Sequence, residues 1–182
     1  MKKVILGSVL AAVAMFFWGF LYWAAFPFPL QIMRAVPNEP ALAKALAEAL
    51  PGSGVYILPH PQGVSEGEFM KRHQAGPLAQ ILVEKRGANP MQGSIFFWGF
   101  VHMLASAFVL ALVLRAAAPA TATFGARFQI AALAGLAGAM YSNLGRPIWW
   151  LQAWDFHLMY FVFDLGSWLL AALALAFFVR RE

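Results

Sequence analysis

Asp164 and His102 are ionisable side chains that lie inside long apolar stretches of the sequence, LMYFVFDLGSWLL and FFWGFVHMLASAF. Each is about eight residues from one end of its stretch, which corresponds to about 12 Å at the 1.5 Å rise of an α-helix. A carboxylate at the centre of a membrane helix costs roughly 2.5 to 3.5 kcal/mol on insertion scales, so it usually has a partner within the protein. The matching depth makes His102 the best-placed partner for Asp164.

Further polar and aromatic side chains are expected near this pair. His157 and Tyr160 precede Asp164 at spacings that place all three on one helix face. The other predicted members of the group, from neighbouring helices, are Tyr141, Asn143, Arg146, Trp18 and Tyr22. Two interpretations remain open: a cavity that binds a ligand or handles a proton, and a buried hydrogen-bonded network that fixes the helix register.

Metal and catalytic chemistry find little support in the sequence. His157 lies near the end of its helix and His102 is about 10 Å deeper, so the two are a poor pair of axial haem ligands. His60 and His73 lack the additional ligands that a transition metal needs. The chain has no cysteine, and no nucleophile motif, phosphate-binding glycine loop or paired catalytic carboxylate is visible. We therefore expect no catalytic residue, no metal and no cofactor, and an enzyme is the less favoured class.

These side chains belong to a strongly apolar chain of 182 residues, of which 62% are hydrophobic and 12% charged. Such a composition is typical of a membrane protein. A helix needs about 20 mostly apolar residues to cross a bilayer. The predicted spans are residues 4–26, 94–114, 128–145 and 156–179, of which the third is the shortest.

We therefore predict an all-α membrane protein, a four-transmembrane-helix bundle with a small periplasmic α+β cap between helices 1 and 2. Residues 1–26 form the first membrane helix, residues 27–93 form the cap, and residues 94–182 form helices 2 to 4. In the cap, PNEPALAKALAEAL predicts a helix capped by Asn38, and SEGEFMKRH predicts a short helix capped by Ser65. PGSGVYILP and GPLAQILVEKRGANP predict two strands, either paired in parallel or separated.

Basic residues predict the orientation of the chain. Short loops that carry Lys and Arg stay in the cytoplasm, whereas long loops are exported regardless of charge. The basic residues predicted to be cytoplasmic are Lys2, Lys3, Arg115, Arg127, Arg180 and Arg181, and Arg146 is the exception. We expect a multi-pass protein of the bacterial inner membrane with both termini in the cytoplasm and a retained first helix. No basic patch with interleaved aromatics indicates a nucleic-acid partner.

The pentapeptide FFWGF occurs at residues 16–20 and again at 96–100. The predicted topology places both copies in the outer part of the bilayer, and an aromatic interface belt is favoured over a duplicated unit because the flanking sequences differ. Gly19 and Gly99 are expected to let helices approach closely. A row of small residues predicts that the third span packs inside the bundle. Its members are Ala131, Gly135, Ala139 and Ser142.

FFWGF at the end of the first span, GVYILP, HQAGPLA and IWWLQAWDF together resemble a bacterial family of four-transmembrane-helix membrane proteins of unestablished function. The resemblance covers most of the chain and implies four spans, but it implies no substrate and no catalytic residue. The favoured hypothesis is a non-enzymatic accessory or assembly subunit, with membrane lipids and a larger membrane complex or a second copy as partners. The alternatives are a lipid-binding, small-molecule-binding or proton-linked transport module that uses the polar group, and a membrane enzyme.

Overall fold

The structure, a computed structural model, describes residues 1–118 and 122–179 and is mostly helical. The helices are α1 (Lys2–Phe20), α2 (Phe28–Ile32), α3 (Glu39–Ala49), α4 (Glu66–Ala75), α5 (Gly93–Ala116), α6 (Phe124–Trp150) and α7 (Trp154–Phe178). The strands are β1 (Gly54–Leu58) and β2 (Ala79–Val83), and a π-helical turn, Leu21–Ala25, continues α1. The chain divides into a first unit, Met1–Arg34 with Met91–Glu182, and a second unit, Ala35–Pro90.

Three helices among the described residues are long and apolar enough to cross a membrane: Lys2–Ala25, Gly93–Ala116 and Trp154–Phe178. They indicate a membrane protein, as the composition predicts. The predicted third span corresponds to α6, which has 27 residues but is less apolar than these three helices. The structure therefore supports three of the four predicted spans. Arg180 and Arg181, which contributed to the predicted orientation, lie outside the described residues.

In the first unit, α7 lies between α1 and α6, and α5 packs mainly against α1. Residues of all four helices form one apolar core near the start of α1 and the end of α7. Its members include Val4, Ala11, Ala107, Leu110, Leu114, Ala131, Ala172 and Leu175. The residues of α5 that are buried all lie between Ala107 and Leu114. Residues 93–106 of α5 contain no buried residue, so this half of the helix does not complete the bundle.

A row of residues four apart packs α6 against α7. The row consists of Ala131, Gly135, Ala139, Asn143 and Pro147, all buried. The prediction that Ser142 belongs to this row was wrong: Ser142 is exposed, because a four-residue spacing continues to Asn143. Small side chains let two helices approach closely in a membrane. At Gly135 the approach is so close that an added Cβ atom would overlap the side chain of Trp168.

The two FFWGF segments lie side by side. The rings of Phe16 and Phe100 pack edge to face, with their centroids 5.9 Å apart. Their glycines differ. An added Cβ atom at Gly19 would lie 3.8 Å from Met103 and Phe163, whereas nothing lies within 4 Å of one at Gly99. Neighbouring side chains therefore lie at ordinary van der Waals distance from such an atom at Gly19, which does not require glycine, and for Gly99 the expected close approach was wrong because that side of α5 faces no neighbouring helix.

The second unit contains the predicted helices and strands. Asn38 accepts a hydrogen bond from the Ala41 amide at 3.2 Å, and Ser65 accepts one from the Glu68 amide at 3.2 Å, which confirms both predicted caps. The strands pair antiparallel, from Gly54 opposite Val83 to Leu58 opposite Ala79. The two arrangements predicted from the sequence, a parallel pair and separated strands, were therefore both wrong. The chain between β1 and β2 forms α4 and also reverses direction, so the strands pair antiparallel.

A polar cluster joins the end of α3 to the chain that follows β2. Lys85 Nζ donates to the carbonyl oxygens of Ala47 at 2.8 Å and Leu50 at 2.7 Å, which would otherwise lack partners at a helix end. Glu84 accepts hydrogen bonds from Ser53 Oγ at 2.9 Å and Arg86 Nε at 3.1 Å. The hydrogen bonds from Arg86, together with that from Ser53, lower the pKa of Glu84 from 4.5 to about 2.

This pKa shift predicts a pH dependence. A lowered pKa in the folded state contributes stability above pH 4.5, and that contribution is lost as the pH falls through 4.5 toward about 2. We expect a ¹³C carboxyl titration of Glu84 in the full chain to show a midpoint near 2, and Arg86→Ala to raise that midpoint toward 4.5. The same midpoint in both proteins would show that Arg86 does not hold the carboxylate.

Candidate polar site in the membrane helices

The centre of the candidate site is a hydrogen bond between an amide and a carboxylate. Asn143 Nδ2 donates to Asp164 Oδ2 at 2.7 Å and to the carbonyl oxygen of Ala139 at 3.0 Å. Asn143 is buried because it belongs to the row of α6 that faces α7, and Asp164 is half-buried. The hydrogen bond therefore links two packed helices at a level where polar partners are scarce.

His102 is not the hydrogen-bond partner of Asp164, contrary to the sequence-based expectation. It lies on an exposed side of α5, within electrostatic range of the carboxylate. No hydrogen bond joins the two side chains in the described ranges. The reason is the packing order, since α5 lies mainly against α1 and does not bring His102 onto α7.

Trp18 and Tyr22 fasten α1 and its π-helical turn to α7. Trp18 Nε1 donates to the Phe163 carbonyl oxygen at 3.0 Å, and the Tyr22 hydroxyl donates to the Met159 carbonyl oxygen at 2.6 Å. Both donors and both acceptors are four residues apart, so the two bonds form successive links between antiparallel helices. These side chains, which the sequence places in the polar group, therefore serve the α1–α7 interface beside Asp164.

An aromatic cluster surrounds these links. The centroid of the Tyr22 ring lies 5.1 Å from the ring centroid of Phe163 and 5.1 Å from that of Phe28. The ring centroids of Trp23 and Tyr160 are 5.2 Å apart, a distance in the range that aromatic pairs prefer. The π-helical turn at Leu21–Ala25 contains both Tyr22 and Trp23, and such turns are often found at functional sites. Tyr160 therefore contributes an aromatic ring to the cluster beside the Asp164 pair.

His157 belongs to a separate polar group at the turn between α6 and α7. Its Nε2 lies 2.6 Å from Gln152 Oε1, and it is seven residues from Asp164, or about 10 Å along the helix. Arg146 is exposed and within electrostatic range of His157. Tyr141 is 91% exposed, so the structure does not bring it to either group.

Two polar residues with defined roles were missed in the sequence. Gln152 lies in a short turn, and its pairing with His157 had no recognisable motif. Arg127 was considered only for orientation, but it is buried and its Nε donates to the Ala176 carbonyl oxygen at 2.8 Å, while Nη1 donates to that of Ala122 at 3.0 Å. Carbonyl oxygens in the last turn of a helix attract cations. The signal in the sequence is the position of Arg127 at the start of one predicted helix, since consecutive antiparallel helices place that start beside the end of the next helix.

The candidate site is defined by a few polar groups among aromatic rings. In the ranges described by the structure, no group of three or more His, Asp or Glu residues could hold a metal ion. What the site presents is a half-buried carboxylate with one amide partner, bordered by aromatic rings and by an exposed imidazole on α5.

Comparisons with known proteins give no match: no family model, curated protein or solved structure is similar to this chain. Fold and site nevertheless define a class. The chain is a mostly helical membrane protein with three apolar helices long enough to cross a bilayer and a carboxylate–amide pair between α6 and α7.

Proposed function

We propose that the chain is a non-enzymatic subunit of a larger membrane complex, and that residues 93–106, the exposed half of α5, contact the larger partner. The observation that carries the proposal is the position of His102. This ionisable side chain is exposed about 14 Å from the start of an apolar helix. An imidazole at that depth is unfavourable against lipid and is expected to have a protein partner.

The low burial of residues 93–106 does not by itself require a protein partner. Apolar side chains on this half of the helix can face lipid without penalty, because lipid tails are as apolar as leucine. His102 cannot, and within the described part of the chain it has no hydrogen bond. A partner helix with an acceptor or donor at the level of His102 would satisfy the imidazole. A second copy of the chain is the alternative source of such a helix.

The proposed setting is the inner membrane of a bacterium, with α6 as a fourth span. The length of α6, 27 residues, corresponds to about 40 Å and exceeds the hydrocarbon thickness. Both termini would be cytoplasmic and the second unit, Ala35–Pro90, periplasmic. Lys2, Lys3 and Arg115 at the ends of candidate spans support this orientation through the positive-inside rule.

Photocrosslinking in native membranes tests the contact surface. A photoreactive residue at Phe97, which is 60% exposed on α5, is expected to give one protein adduct of defined mass. Leu133, which is 55% exposed on α6, is the matched control and is expected to give lipid adducts only. His102→Leu should weaken the adduct formed from position 97. Lipid adducts alone at both positions would contradict the proposed contact.

A binding or proton-linked transport module is the second candidate, and the Asp164 carboxylate favours it. Of its two oxygens, Oδ2 accepts the Asn143 hydrogen bond, and within the described residues Oδ1 receives none. With His102 in electrostatic range, the open oxygen is suited to a proton, a cation or the polar end of an amphipathic molecule. Asp164→Asn should then abolish binding of that proton, cation or amphipathic molecule while the protein still folds. Retained binding by this variant would exclude the role of Asp164.

A further inference from the structure

The corner where α6 ends and α7 begins contains a basic side chain with no partner among the described residues. Arg146 lies four residues before the end of α6 at Trp150. It is exposed, and within the described ranges it makes neither a hydrogen bond nor an ion pair. The chain then turns at Leu151, which has a left-handed backbone with a φ of 52°, and enters α7 at Trp154.

The acidic residue of this corner does not neutralise Arg146. Asp155, in the first turn of α7, forms an ion pair with Arg34 at 3.5 Å and accepts a hydrogen bond from the Phe156 amide at 2.8 Å. His157 is hydrogen-bonded to Gln152. The corner therefore contains two guanidinium groups and one carboxylate, which pairs with Arg34, so it carries a net positive charge.

The corner lies at a membrane surface whichever way the chain is oriented, because α7 is a candidate span that starts at Trp154. Trp149, Trp150 and Trp154 are all exposed there, and Trp149 is 81% exposed. Exposed tryptophans concentrate at the level of lipid headgroups. Arg146 is about 6 Å below Trp150 along the helix, a distance that an extended arginine side chain can cover toward the interface.

We propose that Arg146 binds a phosphate group at this corner, supplied by the headgroup of a phospholipid. A guanidinium group presents a planar set of donors that matches two phosphate oxygens, and such charge-assisted pairs are stronger than neutral hydrogen bonds. The neighbouring tryptophan rings supply an apolar surface for the glycerol and the upper acyl chains. A phosphate monoanion from solution has the same recognition chemistry, and it is the other source that the experiment separates.

Native mass spectrometry of the purified full chain in mild detergent tests this site. Phosphatidylglycerol is titrated against diacylglycerol with the same acyl chains, which lacks the phosphate. We expect the wild type to bind phosphatidylglycerol at least about tenfold more tightly than diacylglycerol, because a hydrogen bond to a charged group contributes that much. Arg146→Gln should lose this preference, and Arg146→Lys should keep part of it through charge alone.

The matched control is Arg72→Gln, which removes one positive charge from α4 in the second unit, where Arg72 pairs with Glu68 at 2.8 Å. It should bind phosphatidylglycerol like the wild type, and equal thermal unfolding of Arg146→Gln and wild type shows that the fold is intact. Inorganic phosphate retained by the wild type and not by Arg146→Gln, without a lipid preference, would assign the site to a free anion. Unchanged phosphatidylglycerol binding by Arg146→Gln would overturn the proposal.

Discussion

Asn143→Leu is expected to lower the free energy of unfolding by about 1 to 3 kcal/mol, because Asp164 would remain half-buried after losing the hydrogen bond that it accepts at 2.7 Å. Leucine is branched like asparagine but bulkier, so overpacking adds to the loss, and a double-mutant cycle separates this contribution from that of the hydrogen bond. Thermal unfolding in detergent, or unfolding by denaturant in lipid nanodiscs, measures the change.

The control is a double-mutant cycle with Asp164→Leu. Replacing both partners by apolar residues removes the unsatisfied group, so the double variant should be more stable than Asn143→Leu alone. A coupling free energy near zero would show that the bond does not stabilise the fold. If the double variant also folds and keeps its function in cells, Asp164 has a structural role only, and the binding module would lose its basis.

Gly135→Ala is expected to destabilise the first unit by about 1 to 3 kcal/mol through overpacking, because an added Cβ atom would overlap the Trp168 side chain unless α6 and α7 move apart. Gly99→Ala is the matched control in another apolar helix, since nothing lies within 4 Å of the added atom. It should stabilise α5 by up to about 1 kcal/mol through helix propensity. Equal effects of the two substitutions would contradict the close contact between α6 and α7.

Local interactions were predictable from the sequence. The caps at Asn38 and Ser65 depend on residues three positions away, so the necessary information lies within one turn of helix. The apolar helices were predictable for a similar reason, because length and hydropathy are properties of one segment. The lower apolarity of α6 follows from side chains such as Arg127 and Asn143, which the sequence contains and which pack inward in the fold.

Contacts between helices were less predictable. Depth along two helices made His102 the expected partner of Asp164, but depth does not determine which helices are neighbours. Once α6 packs beside α7, Asn143 meets Asp164, and α5 leaves His102 exposed. The Trp18 and Tyr22 links to backbone carbonyl oxygens were hidden for another reason, because a carbonyl acceptor is present at every residue and leaves no mark in the sequence.

Native mass spectrometry of the protein extracted in mild detergent from its own membranes tests the proposed subunit role most directly. The account predicts a defined assembly of this chain with a larger membrane protein, and a weaker assembly for His102→Leu. A chain that leaves the membrane alone in several mild detergents, with no protein partner after crosslinking in cells, would contradict it.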